Sequence, residues 1–83
     1  MMSYFLVVDG VPETTYTSNE DCIQAFLDKR QEIFIDLLGY GQEVVEEQED
    51  SAYCINFYTQ DRNLPVSYLH LRRQLEILCI DAE

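Results

Sequence analysis

Residues 64–83 read LPVSYLHLRRQLEILCIDAE, and the choice between helix and strand for this stretch decides the fold. Pro65 suits the first turn of a helix entered near Asn63. Leu64, Tyr68, Leu71, Leu75, Leu78 and Ala82 recur at steps of four and three, which predicts a helix with a narrow apolar seam. Val66, Leu69, Ile77 and Ile80 form a second apolar group on the face away from that seam, with Arg73 among them. In a domain this small one helix face reaches solvent, so Val66, Leu69, Arg73, Ile77 and Ile80 are the expected homodimer face. Within the stretch, 75–80 (LEILCI) is β-branched enough to close a sheet as a strand instead.

Upstream of it, Tyr53-Cys54-Ile55-Asn56-Phe57-Tyr58-Thr59 alternates, with Tyr53, Ile55 and Phe57 on one face, and predicts a strand. Glu43 to Glu47 supplies a strand before it, and Gln48-Glu49-Asp50-Ser51 has turn composition. Tyr4 to Val8 and Glu13 to Thr17 predict a first hairpin about the turn pair Asp9-Gly10. Pro12 cannot donate to a ladder and belongs to a loop or an edge. Between the hairpins, Cys22, Ile23, Phe26, Leu27, Ile33, Phe34, Leu37 and Leu38 recur at helical spacing. Thr17, Ser18 and Asn19 are competent N-caps, and Gly39 or Gly41 supplies the stop. The expected fold is α+β with order ββαββα: a four-stranded antiparallel sheet with two helices packed on one face. With 83 residues it is a single domain, 1–83.

Charge sets this chain apart. Sixteen acidic residues against five basic ones give a formal net charge of -11, where small soluble domains usually carry a magnitude of about 2–8. Such a field repels polyanions, so direct nucleic-acid binding and anionic membrane surfaces are disfavoured. It favours a basic partner, with electrostatic steering as the gain; solubility alone is the plainer explanation. On the wheel of the helix between the hairpins the core arc centres near Arg30, flanked by Phe26, Ile33 and Leu37. The opposite arc carries Asp21, Asp28, Glu32 and Asp36, and the last three, one turn apart at ~6 Å, form a ladder that weakens the helix by ~0.2–0.5 kcal/mol per like-charged pair. A second group, Glu43, Glu46, Glu47, Glu49 and Asp50, lies along the second hairpin. Tyr40 and Tyr58 flank it and suit a protein interface. Arg30, a cation on the apolar arc, either snorkels its head to the rim or pairs with a carboxylate such as Glu43 or Glu47.

Catalytic chemistry finds little footing. His70 is the single histidine, and its neighbours in sequence supply no orienting carboxylate. No phosphate loop, nucleophile elbow or zinc-spaced cysteine pair occurs, and EVVEEQED lacks the glycine and the ligand alternation of a calcium loop. Cys22, Cys54 and Cys79 are odd in number and far apart, which predicts reduced thiols. No signal peptide or apolar span is visible, so a stand-alone cytoplasmic protein without cofactor or metal is expected.

The expected function is a small acidic inhibitor, not an enzyme, that blocks a basic, nucleic-acid-handling protein by occupying its phosphate sites. Its contact residues would be Asp28, Glu32, Asp36, Glu43, Glu46, Glu47, Glu49 and Asp50. Phage anti-defence proteins (anti-CRISPR or anti-restriction, acting in the host cytoplasm) and toxin immunity proteins work in this manner, and the analogy rests on size and charge alone. The alternative is a homodimeric or adaptor domain that uses the apolar face at 66–80.

Overall fold

The computed structural model describes residues 2–39, 43–48, 53–60 and 69–81. The chain opens with strands β1 (Met2–Val8) and β2 (Val11–Tyr16), joined by Asp9-Gly10. Both turn residues have positive φ, 54° and 81°, the left-handed pair with which a two-residue turn follows the twist of its strands. Pro12 lies inside β2; that is tolerated because β2 is an edge strand. The register shifts at Glu13, between the pairs Leu6–Thr14 and Val7–Pro12.

Helix α1 (Asn19–Leu38) follows. Ser18 caps it, its Oγ accepting from the Asp21 N–H at 3.4 Å, and Glu20 and Asp21 complement the positive end of the helix dipole. Gly39 closes the last turn by donating to the Asp36 carbonyl at 3.2 Å. Cys22, Phe26, Ile33 and Leu37 form the buried stripe, so the core arc centres on Phe26 and Ile33, and Arg30 stands at its margin.

Three strands complete the fold: β3 (Glu43–Gln48), β4 (Cys54–Gln60) and β5 (Leu69–Asp81). All five strands form one antiparallel sheet in the order β2-β1-β5-β4-β3, with α1 across one face. The order ββαβββ therefore replaces the expected ββαββα: there are five strands and one helix among the described residues, not four strands and two helices. Positions 63–68 of the expected second helix lie outside the described residues, and 69–81 are strand.

Tertiary pairing explains the difference. β5 runs 13 residues, pairs with β1 along 75–81 and with β4 along 69–76, and is the only described strand that joins the two hairpins. Without it each hairpin would leave a bare edge, so ladder hydrogen bonds outweigh the helix preference of LHLRRQLE. The spacing that suggested a seam is split by the pleat: Leu75 points under α1, while Leu71 and Leu78 point to the uncovered face. Because the hairpins engage different halves of β5, the sheet is staggered and the molecule measures 51 × 21 × 19 Å.

The core lies between α1 and the sheet. Leu6 and Val8 of β1, Ile55 and Phe57 of β4, and Leu75 of β5 meet the buried helix stripe. Tyr53 adds an edge-to-face contact with Phe26 at 5.6 Å. Full burial of each of these side chains stabilises by about 1.5–3 kcal/mol. Thr59, also buried completely, keeps its hydroxyl satisfied by accepting from Arg72 Nε at 2.9 Å. A register shift beside Phe57 leaves Arg72 without a β4 counterpart and turns it toward that hydroxyl.

Candidate partner-binding surface

Asp28, Glu32 and Asp36 all lie exposed along α1, as the four-residue spacing dictates. They are not an isolated stripe. Asp28 accepts from Gln24 Nε2 at 3.1 Å, and Glu32 from Lys29 Nζ at 3.4 Å. Asp36 is 3.6 Å from Arg73 Nη1. The ladder turns partly toward the first hairpin: Lys29 also bridges to Glu13 of β2 at 3.3 Å. Burial pulls the Lys29 ammonium down, but the hydrogen bond and charge of Glu13, helped by Glu32, outweigh it and the net shift is upward. Glu32 and Asp36 keep most of their side-chain surface in water, 70% and 63%, so these pairs leave the carboxylates accessible.

On β3 the alternation divides the acids between two faces. Glu46 is opposite the buried Phe57 and so points to the helix side; Glu43 and Glu47 lie opposite Gln60 and Asn56 on the uncovered side. Arg30 reaches Glu46 with a two-pronged contact, Nε to Oε1 at 3.1 Å and Nη2 to Oε2 at 3.0 Å. The ion pair offered by the sequence thus exists, but with Glu46 in place of Glu43 or Glu47, because only even-numbered β3 residues face α1. The hydrogen bonds that Arg30 donates to Glu46, opposed by burial and aided by the Glu46 charge, hold the guanidinium above its ordinary pKa. Glu46 is therefore committed to the fold. Tyr58 sits half-buried on the uncovered face, paired with Val45 and Leu71. Tyr40, Glu49 and Asp50 lie outside the described residues.

The cations among the described residues share one arrangement. Lys29 turns to Glu13 and Glu32, Arg30 to Glu46, and Arg73 to Asp9 at 2.8 Å and to Asp36. Arg72 reaches the buried Thr59. Exposed Glu20, Asp21, Glu43 and Glu47 meet no cation among the described residues. Among the described residues, positive charge is consumed inside the fold and the negative surplus is left outside. Asp9 is a residue that sequence spacing did not single out. Besides binding Arg73 it accepts from the Gln74 N–H at 2.9 Å and donates its own N–H to the Gln74 carbonyl at 2.9 Å, fixing the first turn to β5. Its place in a DG turn was the available signal; its partners 64 and 65 residues away were not.

The expected dimer face is dispersed. Arg73 and Ile77 point to the helix side, and Leu69 and Ile80 to the uncovered side near opposite ends of β5; Val66 lies outside the described residues. Over 69–80 the expected helical face is thus replaced by the sheet face turned away from α1, on which Val7 is buried at 2% exposure. On it Leu71, Leu78 and Ile80 are 52%, 43% and 51% exposed. A polar middle that includes the Gln74–Asn56 hydrogen bond at 3.0 Å separates Leu71 from the other two.

His70 pairs across the sheet with Thr59. Among the described residues no group of His, Cys, Asp or Glu is placed to hold a metal ion, and no helix is long and apolar enough to cross a membrane. Cys22 is a free thiol and buried, Cys79 free and exposed; burial pushes the Cys22 thiol up. Compared with known proteins, the chain matches no family model, no curated protein and no solved structure.

Proposed function

We propose that this protein is a non-enzymatic binding protein that engages a basic, nucleic-acid-handling partner in the cytoplasm and blocks it by occupying phosphate-binding sites. One observation carries the reading: the cations of the described sheet and helix are spent on internal partners, so the exposed carboxylates of α1 and β3 face solvent as a surplus. A solvated surface selected for solubility alone usually interleaves both signs. The free thiols of Cys22 and Cys79 fit a reducing compartment. Inhibition would be competitive and without turnover, as in anti-defence or immunity proteins.

The contact residues under this reading are Asp28, Glu32 and Asp36, with Glu43 and Glu47; Glu46 supports them through Arg30. The test is capture of a partner from host lysate by the immobilised protein, followed by elution over about 50–300 mM salt. The captured partner should lose its hold on labelled duplex DNA when the protein is added. A folded Asp28→Lys, Glu32→Lys, Asp36→Lys variant should capture nothing; undiminished capture, or affinity indifferent to salt, would refute the reading.

A second reading is favoured by the exposed Leu71, Leu78 and Ile80: a homodimeric or adaptor domain that covers the open sheet face. Leu78→Ser with Ile80→Ser would then abolish association and leave the salt response unchanged.

A further inference from the structure

Among the described strands the sheet ends at β3, and α1 packs over it. Going round the helix in steps of 100°, the buried stripe gives way to Arg30 and then to Ile23, Phe34, Leu27 and Leu38 on the flank nearest β3. Leu27 is 46% and Leu38 50% exposed. Beneath this flank lies an open groove of about 260 Å³, lined by Leu27, Arg30, Gln31, Phe34 and Glu46. The Arg30–Glu46 fork forms one wall, and no described strand covers the apolar one.

The two sheet edges are built differently. Along β2 the edge is blunted by Pro12, by the register shift at Glu13, and by the tie from Glu13 to Lys29. β3 has no proline, and all six of its residues pair with β4 without a shift. Its outward N–H and C=O groups form a regular template on which another strand can pair.

We propose that the free edge of β3, with the groove beneath Leu27 and Phe34, takes up an extended basic segment of a partner protein as a sixth strand. The occupant follows from charge. β3 carries Glu43 and Glu47 on its uncovered side and Glu46 at the groove. A second copy added antiparallel would set these carboxylates against their own counterparts, and like charges across a strand pair repel. A segment alternating Lys or Arg with apolar residues satisfies both sides. Its cations meet Glu43 and Glu47, and its apolar side chains enter the groove against Leu27 and Phe34. This inference rests on the reading of a basic partner and adds where and in what conformation that partner binds.

The test is an NMR titration of the labelled protein with a short peptide alternating lysine and valine. A peptide of the same sequence, N-methylated at alternate residues, serves as control. Amide shifts should concentrate at residues 43–48 and around Leu27 and Phe34, and the methylated peptide should bind at least about tenfold more weakly. Leu27→Asn, at a half-exposed position that the fold tolerates, should weaken the alternating peptide about tenfold. Absence of binding, equal binding of both peptides, or shifts confined to Asp28, Glu32 and Asp36 would overturn strand addition. Concentration-dependent shifts at β3 without peptide would overturn it too, by seating a second copy there. If lysate capture fails on reversing Asp28, Glu32 and Asp36 but survives Leu27→Asn, strand addition falls and the acidic-surface reading stands. The converse result refutes the ladder-based phosphate-site reading and leaves strand addition of a basic segment standing on Glu43, Glu47 and the groove.

Discussion

Replacing Arg30 with Met separates what its charge does from what its stem covers. Met retains an unbranched apolar chain over the core margin, so the change removes mainly the fork to Glu46. Exposed ion pairs contribute about 0.2–1 kcal/mol, whereas breaking a fully buried pair costs about 3–5 kcal/mol. Here the Arg30 side chain is 37% exposed and that of Glu46 25%, so water screens the contact substantially. With two well-made hydrogen bonds a cost of ~1–2 kcal/mol is expected, mostly the penalty of stranding Glu46. In a domain of this size each kcal/mol moves Tm by about 4–8 °C, so Arg30→Met should melt roughly 5–15 °C lower. Glu46→Val should cost less, under about 1 kcal/mol, because the freed guanidinium can swing into water and Val suits an edge strand. The double variant should return to within ~0.5 kcal/mol of the parent, since two apolar groups then line a groove already walled by Leu27 and Phe34. Urea unfolding followed by circular dichroism completes the cycle, with a coupling of ~1 kcal/mol expected. If Arg30→Met leaves the midpoint unmoved and the two changes simply add, the fork contributes nothing and Arg30 acts through its stem alone.

Leu75→Ala should cost about 2–5 kcal/mol by urea unfolding, because Leu75 is fully buried where β5 exchanges one hairpin for the other. An effect under 1 kcal/mol, on the order of an exposed site, would contradict that central position. Gly10→Ala should lower stability by ~1 kcal/mol through its positive φ alone, because open space surrounds an added methyl. Lys29 has a raised pKa in the fold, so its stabilisation is fully present below the unfolded value of about 10.4 and is lost as pH rises through the higher folded value. Above about pH 10.4 the parent should therefore lose Tm faster than Lys29→Met, and parallel curves would contradict the bridge to Glu13. Under native conditions a thiol reagent should label Cys79 quickly and Cys22 only after unfolding, since Cys22 is buried and its thiolate disfavoured.

Where local chemistry decided the conformation, the sequence was readable. The Asp9-Gly10 turn, the Ser18 cap and the alternation of Ile55 and Phe57 each depend on near neighbours and are found where spacing placed them, and the helix stripe is found too, though centred on Phe26 and Ile33 and not near Arg30. β5 was readable only in part: 75–80 carried the β-branched signal of a closing strand and are strand, whereas 69–74 carried none. LHLRRQLE favours a helix, and only the demand of two hairpins for a shared central strand overrides it. A second sign was present in the residues: read as a helix, the stretch is apolar on two opposite faces, with Leu71 and Leu75 on one and Leu69 and Ile77 on the other. A helix on the surface of a small domain hides one face, whereas a central strand pairs on both edges and tolerates apolar residues on both sides. The same pleat decided the acids. Glu43, Glu46 and Glu47 are equivalent as composition, but period two turns Glu46 alone toward Arg30. The pairing of Arg73 with Asp9 and Asp36 bridges three elements, which no local window contains.

The staggered sheet also changes what the net charge means. A compact chain of this length would have a radius of gyration of ~12 Å; this one has 14.5 Å, spread over 51 Å. Charges at opposite ends are then separated by several screening lengths of ~8–10 Å at ordinary salt and barely repel. A formal charge of -11 is thus tolerable for reasons of shape alone. Acidity in itself therefore does not mark a binding surface; the disposition of the cations does. Lys29, Arg30 and Arg73 could have been scattered over the exposed helix face to neutralise it. Instead each is drawn to the seam between α1 and the sheet, where it braces the fold, and Asp28, Glu43 and Glu47 are left to water or to a partner. On this basis two neutralising changes of equal charge should differ in their effects. Glu46→Gln loosens the fork and lowers stability, whereas Glu47→Gln leaves stability within ~0.5 kcal/mol and weakens a basic partner. Equal effects of the two on partner affinity and on Tm would mean that only total charge matters and that the placement of the carboxylates carries no information.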